Sequence, residues 1–301
     1  MRNSLSTILP YFALRLSYIY LTNSWLRNSR AFLVLLAAMT PAAISVAQSA
    51  PETKISLPLP PHVSRADLYI ATIPDKPRAV LVICPGLNVN GGDWIMQPAW
   101  QSFARSQHLG LAGISFASDP DDWMHGYHFV RNGSGQALVD GLRKAYGGDL
   151  PLLMYGFSRG AVFVSRFADW KPERLLGWCA YSPGEGDEQS PHRNAPPGLI
   201  ACGEDDSNYG FALSYFKRGR AQGKPWLWLS LANTGHTRTQ AEEDFVRTYL
   251  AGILADSKTP VWVDIDEKRP LTSAVAAQTP SESGLIPDSS IVQAWTRIHE
   301  P

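Results

Sequence analysis

Between positions 150 and 170 the chain reads "LPLLMYGFSRGAVFVSRFADW". Ser158 stands there between Gly156 and Gly160, where the apolar run Leu150 to Tyr155 gives way to a segment of helical spacing. A strand that turns directly into a helix needs strained backbone angles and tight packing, which glycine tolerates and larger residues do not. The expected result is a hydroxyl held clear of its own backbone, beside a helix N-terminus. A serine hydroxyl is a weak nucleophile until a base takes its proton, and that base must itself be oriented by a third group. If Ser158 does covalent chemistry, the remaining sequence has to supply a base and an acid.

The elements that would position such groups are legible as alternation. "ADLYIATI" (66 to 73), "RAVLVIC" (78 to 84), "GLAGISFA" (110 to 117), 151 to 155, 174 to 181, 197 to 202 and "PWLWLSLA" (225 to 232) are short apolar runs. Amphipathic segments at 94 to 107, 133 to 147, 159 to 169, 208 to 221 and about 239 to 255 separate most of them. Continuous apolar strands alternating with helices imply a mostly parallel, doubly wound α/β sheet covered on both faces. One domain over residues 54–256 is expected. In such a sheet ligands bind at the carboxyl ends of the strands, where Ser158 falls if its strand is central. Residues 257–301 are rich in Pro, Ser and Thr, with one strand-like piece, "VWVDID", and one apolar-periodic piece around "IVQAWTRI". They read as a loosely packed C-terminal extension, since about 45 residues without disulfides bury too little surface to fold alone.

Composition narrows the function classes. Lys+Arg and Asp+Glu both number 27, and this balance gives no electrostatic signal for nucleic acid or an anionic membrane surface. Arg27 and Arg30 precede the apolar run Ala31 to Met39, which leads to the small residues Ser45-Val46-Ala47. That order matches a secretory leader over residues 1–47, with a secreted or periplasmic mature form that needs no membrane; an uncleaved anchor is the alternative. The apolar core is shorter than the ~20 residues of a membrane span. Cys84, Cys179 and Cys202 each lie at or near the end of an apolar run, so neither a disulfide framework nor a zinc site is expected.

"GFSRG" fits the Gly-x-Ser-x-Gly nucleophile elbow, and the chain from about 66 to 256 resembles the α/β-hydrolase superfamily. The resemblance implies the order serine, acid, histidine. After the strand at 197 to 202 comes "GEDDSN", whose Gly-x-x-Asp makes Asp206 the acid, with adjacent Asp205 as the alternative. After "PWLWLSLA" comes "NTGHTR", which makes His236 the base; His108, His125, His128 and His192 do not share its place in the order. The same resemblance implies an oxyanion hole from the backbone N–H of Arg159 and a second donor in the loop "PGLNVNGGDW", at Leu87 or its neighbour Asn88. No cofactor or metal is implied.

"PGEGDEQSPHRNAP" (183 to 196) is too short for a large cap domain, so an open cleft for a small or polymeric ester is expected. Compact dienelactone-hydrolase-like and feruloyl-esterase-like members are similar in architecture. Arg159 after the serine is also a feature of glucuronoyl esterases, a thinner likeness. A prolyl-oligopeptidase-like peptidase and a non-catalytic binding protein are the alternatives. Trp94, Trp123 and Tyr127, with His125, lie in segments expected at the carboxyl edge and are candidates to contact substrate, packing being the competing role. A monomer is expected.

Overall fold

The computed structural model describes residues 53–71, 74–122, 124–184 and 194–298; the expected leader and Trp123 lie outside them. In chain order the elements are β1 (Thr53–Ser56), β2 (Arg65–Ile70), β3 (Ala79–Cys84), α1 (Gly91–Ile95), α2 (Pro98–Ser106), β4 (Leu109–Ala117) and α3 (Ser134–Tyr146). There follow β5 (Leu152–Phe157), α4 (Arg159–Trp170), β6 (Leu175–Tyr181), β7 (Gly198–Gly203), α5 (Tyr209–Ala221), β8 (Trp226–Leu231) and α6 (Gln240–Leu254). The chain closes with β9 (Val261–Asp264), β10 (Arg269–Leu271), α7 (Ser273–Gln278), β11 (Ser283–Ile286) and α8 (Val292–Arg297).

The apolar runs become the strands because every residue of β3, β4, β7 and β8 is buried and each face needs a cover. Successive side chains serve opposite faces. In β3, Val80, Val82 and Cys84 join one core layer with Leu138, Phe163 and Phe216 of α3, α4 and α5. Ala79, Leu81 and Ile83 join the other, with Trp100 of α2 and Phe245 and Tyr249 of α6. The sheet order is β1-β2-β4-β3-β5-β6-β7-β8, parallel from β4 to β8, with β2 antiparallel to β4 and to β1. The order reverses between β3 and β5, so the crevice at their carboxyl ends is the topological switch point. No large cap interrupts the fold among the described residues.

Two expectations change. The single helix at 94 to 107 is two, because Pro98 starts a new helix at the position where its missing N–H costs nothing. The C-terminal extension is packed rather than loose. β10, β9 and β11 form a second antiparallel sheet, and Val263, Ile286, Ile291 and Trp295 enter the core layer that holds α6. The segment is stable because it uses the main core instead of making its own. The Trp295 indole N–H donates to the Trp228 carbonyl on edge strand β8 at 3.1 Å. Arg220 of α5 donates to the Ser283 carbonyl at 2.7 Å and lays its guanidinium over the Trp262 ring. Together these cover the edge that β8 would otherwise expose.

Trp295→Ala therefore costs about 3–5 kcal/mol of unfolding free energy, as buried aromatic truncations do. Guanidinium unfolding followed by tryptophan fluorescence measures it, and a loss below about 1 kcal/mol would show that the C-terminal segment adds nothing to the core.

Candidate active site

Ser158 has φ 55° and ψ −121°, a backbone state that L-residues avoid and that stores on the order of 1–3 kcal/mol. The surrounding bonds over-determine it. Its N–H donates to the Tyr181 carbonyl at 2.9 Å, and its own carbonyl accepts from Ala161 and Val162 at 2.9 and 3.1 Å. The flanking glycines are required by contact. A methyl on Gly160 would lie 2.0 Å from the Cys84 carbonyl oxygen, and one on Gly156 would lie 2.3 Å from that of Gly160. Helix α4 thus starts directly against the ends of β3 and β5 and leaves the Ser158 hydroxyl on its open side.

His236 reaches that hydroxyl from the loop between β8 and α6: Nε2 lies 2.9 Å from Ser158 Oγ. Its Nδ1 lies 2.9 Å from Asp206 Oδ2. Asp206, not Asp205, faces the imidazole, since Asp206 is buried and Asp205 is exposed with its N–H spent on the Thr234 carbonyl. The tight approach of the two loops needs Gly203, where a methyl would sit 2.1 Å from the Thr234 carbonyl oxygen. Burial works against the Asp206 charge, but the Ser182 hydroxyl, the Asn208 N–H and His236 outweigh it and hold the carboxyl below its usual value. The Asn208 N–H bond to Asp206 Oδ1 is 2.8 Å. Beneath them, burial first and the Asp206 charge second push the Cys202 thiol up to about 12, so it stays neutral.

A cleft of about 250 Å³ opens over these groups, lined by Leu87, Ser158, Arg159, Val162, Gly184, Ser207, Asn208 and His236. Leu87 and Arg159, the two sequence-derived oxyanion donors, therefore border the same space as the serine. The Asn88 side chain exchanges two hydrogen bonds of 3.1 Å with the backbone of Ser118 and fixes the loop after β3.

Two of the three aromatic substrate candidates are not on the cleft, and the third, Trp123, lies outside the described residues. Trp94 is 3% exposed and Tyr127 is 1% exposed. Both are corrected to packing residues because their helix and loop turn inward onto the sheet. Each still acts on the site at one remove. The Tyr127 hydroxyl donates to the Gly86 carbonyl at 3.4 Å behind the Leu87 loop. The Trp94 ring takes the Arg238 guanidinium on its face at 3.5 Å, two residues past His236.

Sequence reading missed the residues that fix the His236 loop. Tyr181 donates its hydroxyl to the Thr237 carbonyl at 2.7 Å, and Phe157 packs its ring against the imidazole at 5.1 Å. Arg238 pairs with Glu243, and Thr239 caps α6 by accepting from the Glu242 N–H at 3.1 Å. Glu242 in turn accepts from the Tyr155 hydroxyl at 2.9 Å, tying α6 to the strand that leads into Ser158. The local signal for α6 was present as Thr239 followed three residues later by Glu242, a capping-box pattern. The long-range partners carried none.

No protein-family model matches the chain, and no curated protein matches its sequence. Solved structures do match in fold. One is a fluorophosphonate-binding serine hydrolase, F, of Staphylococcus aureus, at 13% identity and TM-score 0.50, covering 68% of this chain and 99% of that one. Another is an S-formylglutathione hydrolase of the same organism, at 14% identity and TM-score 0.50, covering 67% and 99%. A third is an esterase of Pyrococcus furiosus, at 13% identity and TM-score 0.51, covering 69% and 93%. The chain has the α/β-hydrolase fold.

Burial is the main reason the Glu242 carboxyl is held well above its ordinary value of 4.5. The folded chain then keeps a proton that the unfolded chain releases, so stability falls as pH rises above about 4.5. Glu242→Gln keeps the acceptor for Tyr155 and removes that proton uptake. It should raise the unfolding midpoint near pH 8 and change it little near pH 4; equal shifts at both would show that Glu242 takes up no proton on folding.

Proposed function

We propose that this protein is a serine hydrolase that cleaves carboxylic esters through an acyl-enzyme intermediate. The observation that carries the reading is the chain of two 2.9 Å contacts, Ser158 Oγ to His236 Nε2 and His236 Nδ1 to Asp206 Oδ2, at the rim of an open cleft. An ionised Asp206 accepts a hydrogen bond from the Nδ1–H and so holds the tautomer in which Nε2 is the base. His236 takes the Ser158 proton as Oγ bonds to the acyl carbon. The carbonyl oxygen becomes an oxyanion held by the backbone N–H groups of Leu87 and Arg159, each worth about 3 kcal/mol in comparable sites. The carbon–alcohol bond then breaks and the alcohol leaves with the proton from His236. Water repeats the sequence in reverse, its proton going to His236 and back to Ser158 as the acid departs.

Further support is the strained backbone at Ser158, since such strain persists where the surrounding structure is built to hold it and clusters at functional sites. The fold adds an analogy only: several solved structures of similar fold carry the names serine hydrolase and esterase. Among the described residues, Leu87 and Val162 are the apolar side chains of the cleft, a short acyl surface. The substrates proposed are therefore esters of short carboxylic acids, on a small or polymeric alcohol that the open cleft leaves unconstrained.

Release of p-nitrophenol from acetate, butyrate and octanoate esters is the direct test. Acetate and butyrate should turn over faster than octanoate, and Ser158→Ala and His236→Ala should each lose about 10⁴-fold or more with folding intact. A fluorophosphonate should label Ser158. An unlabelled, inactive and folded wild type would favour a ligand-binding protein instead, and cleavage of peptides without esters would favour a peptidase.

A further inference from the structure

Away from the cleft, antiparallel pairing of β2 with β4 sets two turns side by side, because Arg65 lies opposite Ala117 and the Ser64 N–H donates to the Ala117 carbonyl at 2.8 Å. The first turn carries His62, at φ 61°. The second carries Asp122 and His125. His125 Nδ1 lies 2.8 and 3.1 Å from the two Asp122 oxygens, and His62 Nδ1 lies 3.6 Å from Oδ2. One donor atom from each of the three falls within 4.8 Å of the others. The two imidazole rings stack at 4.4 Å with 15° between their planes.

We propose that His62, Asp122 and His125 form a binding site for a divalent transition-metal ion, with Zn²⁺ as the occupant. A single histidine beside an aspartate is an ordinary surface ion pair, worth little. The second imidazole is what an ion pair does not explain. Two imidazole nitrogens and one carboxylate gathered from two separate turns are the donor set that a shared cation satisfies. Donors bonded to one tetrahedral zinc at about 2.0–2.2 Å stand roughly 3.4 Å apart. With Asp122 Oδ2 as the shared donor, the 3.1 and 3.6 Å distances bracket that spacing, and the ion is seated by turning the two rings out of their stack until both Nδ1 atoms converge on it.

The side chains of His62 and His125 are about half exposed and that of Asp122 about a quarter, which gives an entry path and leaves the fourth position to water. Imidazole donors select zinc, copper or nickel over magnesium and calcium. Both turns are already shaped: the Val63 N–H donates to the Pro60 carbonyl, and Asp119 accepts from the N–H groups of Asp121 and Asp122. A bound ion would clamp the turn before β2 to the loop that continues into Tyr127, behind the Leu87 loop. The site would therefore join those two turns, and the inference stands whether or not Ser158 is a nucleophile.

The test is calorimetric titration of the metal-stripped, untagged full chain with zinc chloride near neutral pH. One saturable equivalent is expected, with no heat from Mg²⁺ or Ca²⁺. Loss of even an outer partner weakens metal sites about 10–100-fold, so His62→Ala and His125→Ala should each weaken binding at least about tenfold. Zinc should also raise the unfolding midpoint of the wild type and not of either variant. Far-UV circular dichroism checks both folds, and Asp122→Asn replaces a variant that fails it. Absence of saturable binding overturns the proposal. So does binding that survives both substitutions and disappears in His236→Ala, which would place the ion on the Asp206–His236 pair.

Discussion

Everything at the cleft depends on how closely α4 begins against β3 and β5. The Gly160 Cα faces the Cys84 carbonyl with no space for a methyl, so the chain cannot leave β5 gradually. It has to turn within one residue, and Ser158 takes that turn at φ 55°. Strain of this kind persists only when neighbours hold both sides of the residue. Here strand β6 holds the N–H through Tyr181 and the first turn of α4 holds the carbonyl. The same compression sets the Leu87 loop, which leaves β3 at Pro85, beside the start of α4. The proposed nucleophile and oxyanion donors are consequences of one packing constraint.

Asp206 and His236 are held by a different logic. Their loops leave β7 and β8 at the far side of the sheet and meet across Gly203. Each is then pinned from outside the pair: Asp206 by Ser182 and Asn208, His236 by Tyr181, Phe157 and the Arg238 stack on Trp94. A histidine whose side chain is 40% exposed would otherwise sample many rotamers. The pins restrict it to the orientation in which one nitrogen meets a carboxylate and the other a hydroxyl. The buried Glu242–Tyr155 bond extends the restraint, since it fixes the helix after the histidine to the strand before the serine.

What the sequence disclosed follows the range of the causes. Ser158, Gly156 and Gly160 were legible because an elbow is a local conflict between strand and helix, written in five residues. Asp206 and His236 became legible only through the serine–acid–histidine order of a resembling superfamily, as nothing local distinguishes Asp206 from Asp205. Trp94 and Tyr127 misled because a loop at the carboxyl edge can point its aromatics inward or outward, and the sheet beneath decides which. Of the C-terminal strands, β9 was legible in "VWVDID", whereas β10 and β11 are three and four residues long, too short for a periodic signal. His62 and His125 are distant in sequence, joined by the register of β2 on β4.

The C-terminal segment connects these two levels. β8 is the outermost strand of the parallel sheet, and edge strands are where a sheet opens first. The His236 loop hangs from that strand. Trp295 donates to the carbonyl of Trp228 in the middle of β8, and Gly284 of β11 comes so close that a methyl there would touch Leu227. A sheet ending in an uncovered β8 would place the imidazole on its least stable strand, with a 2.9 Å contact to maintain across to β5. Covering that edge with β9, β11 and α8 turns the strand that positions His236 from a border into part of the core. The residues farthest along the chain thus serve the cleft without facing it.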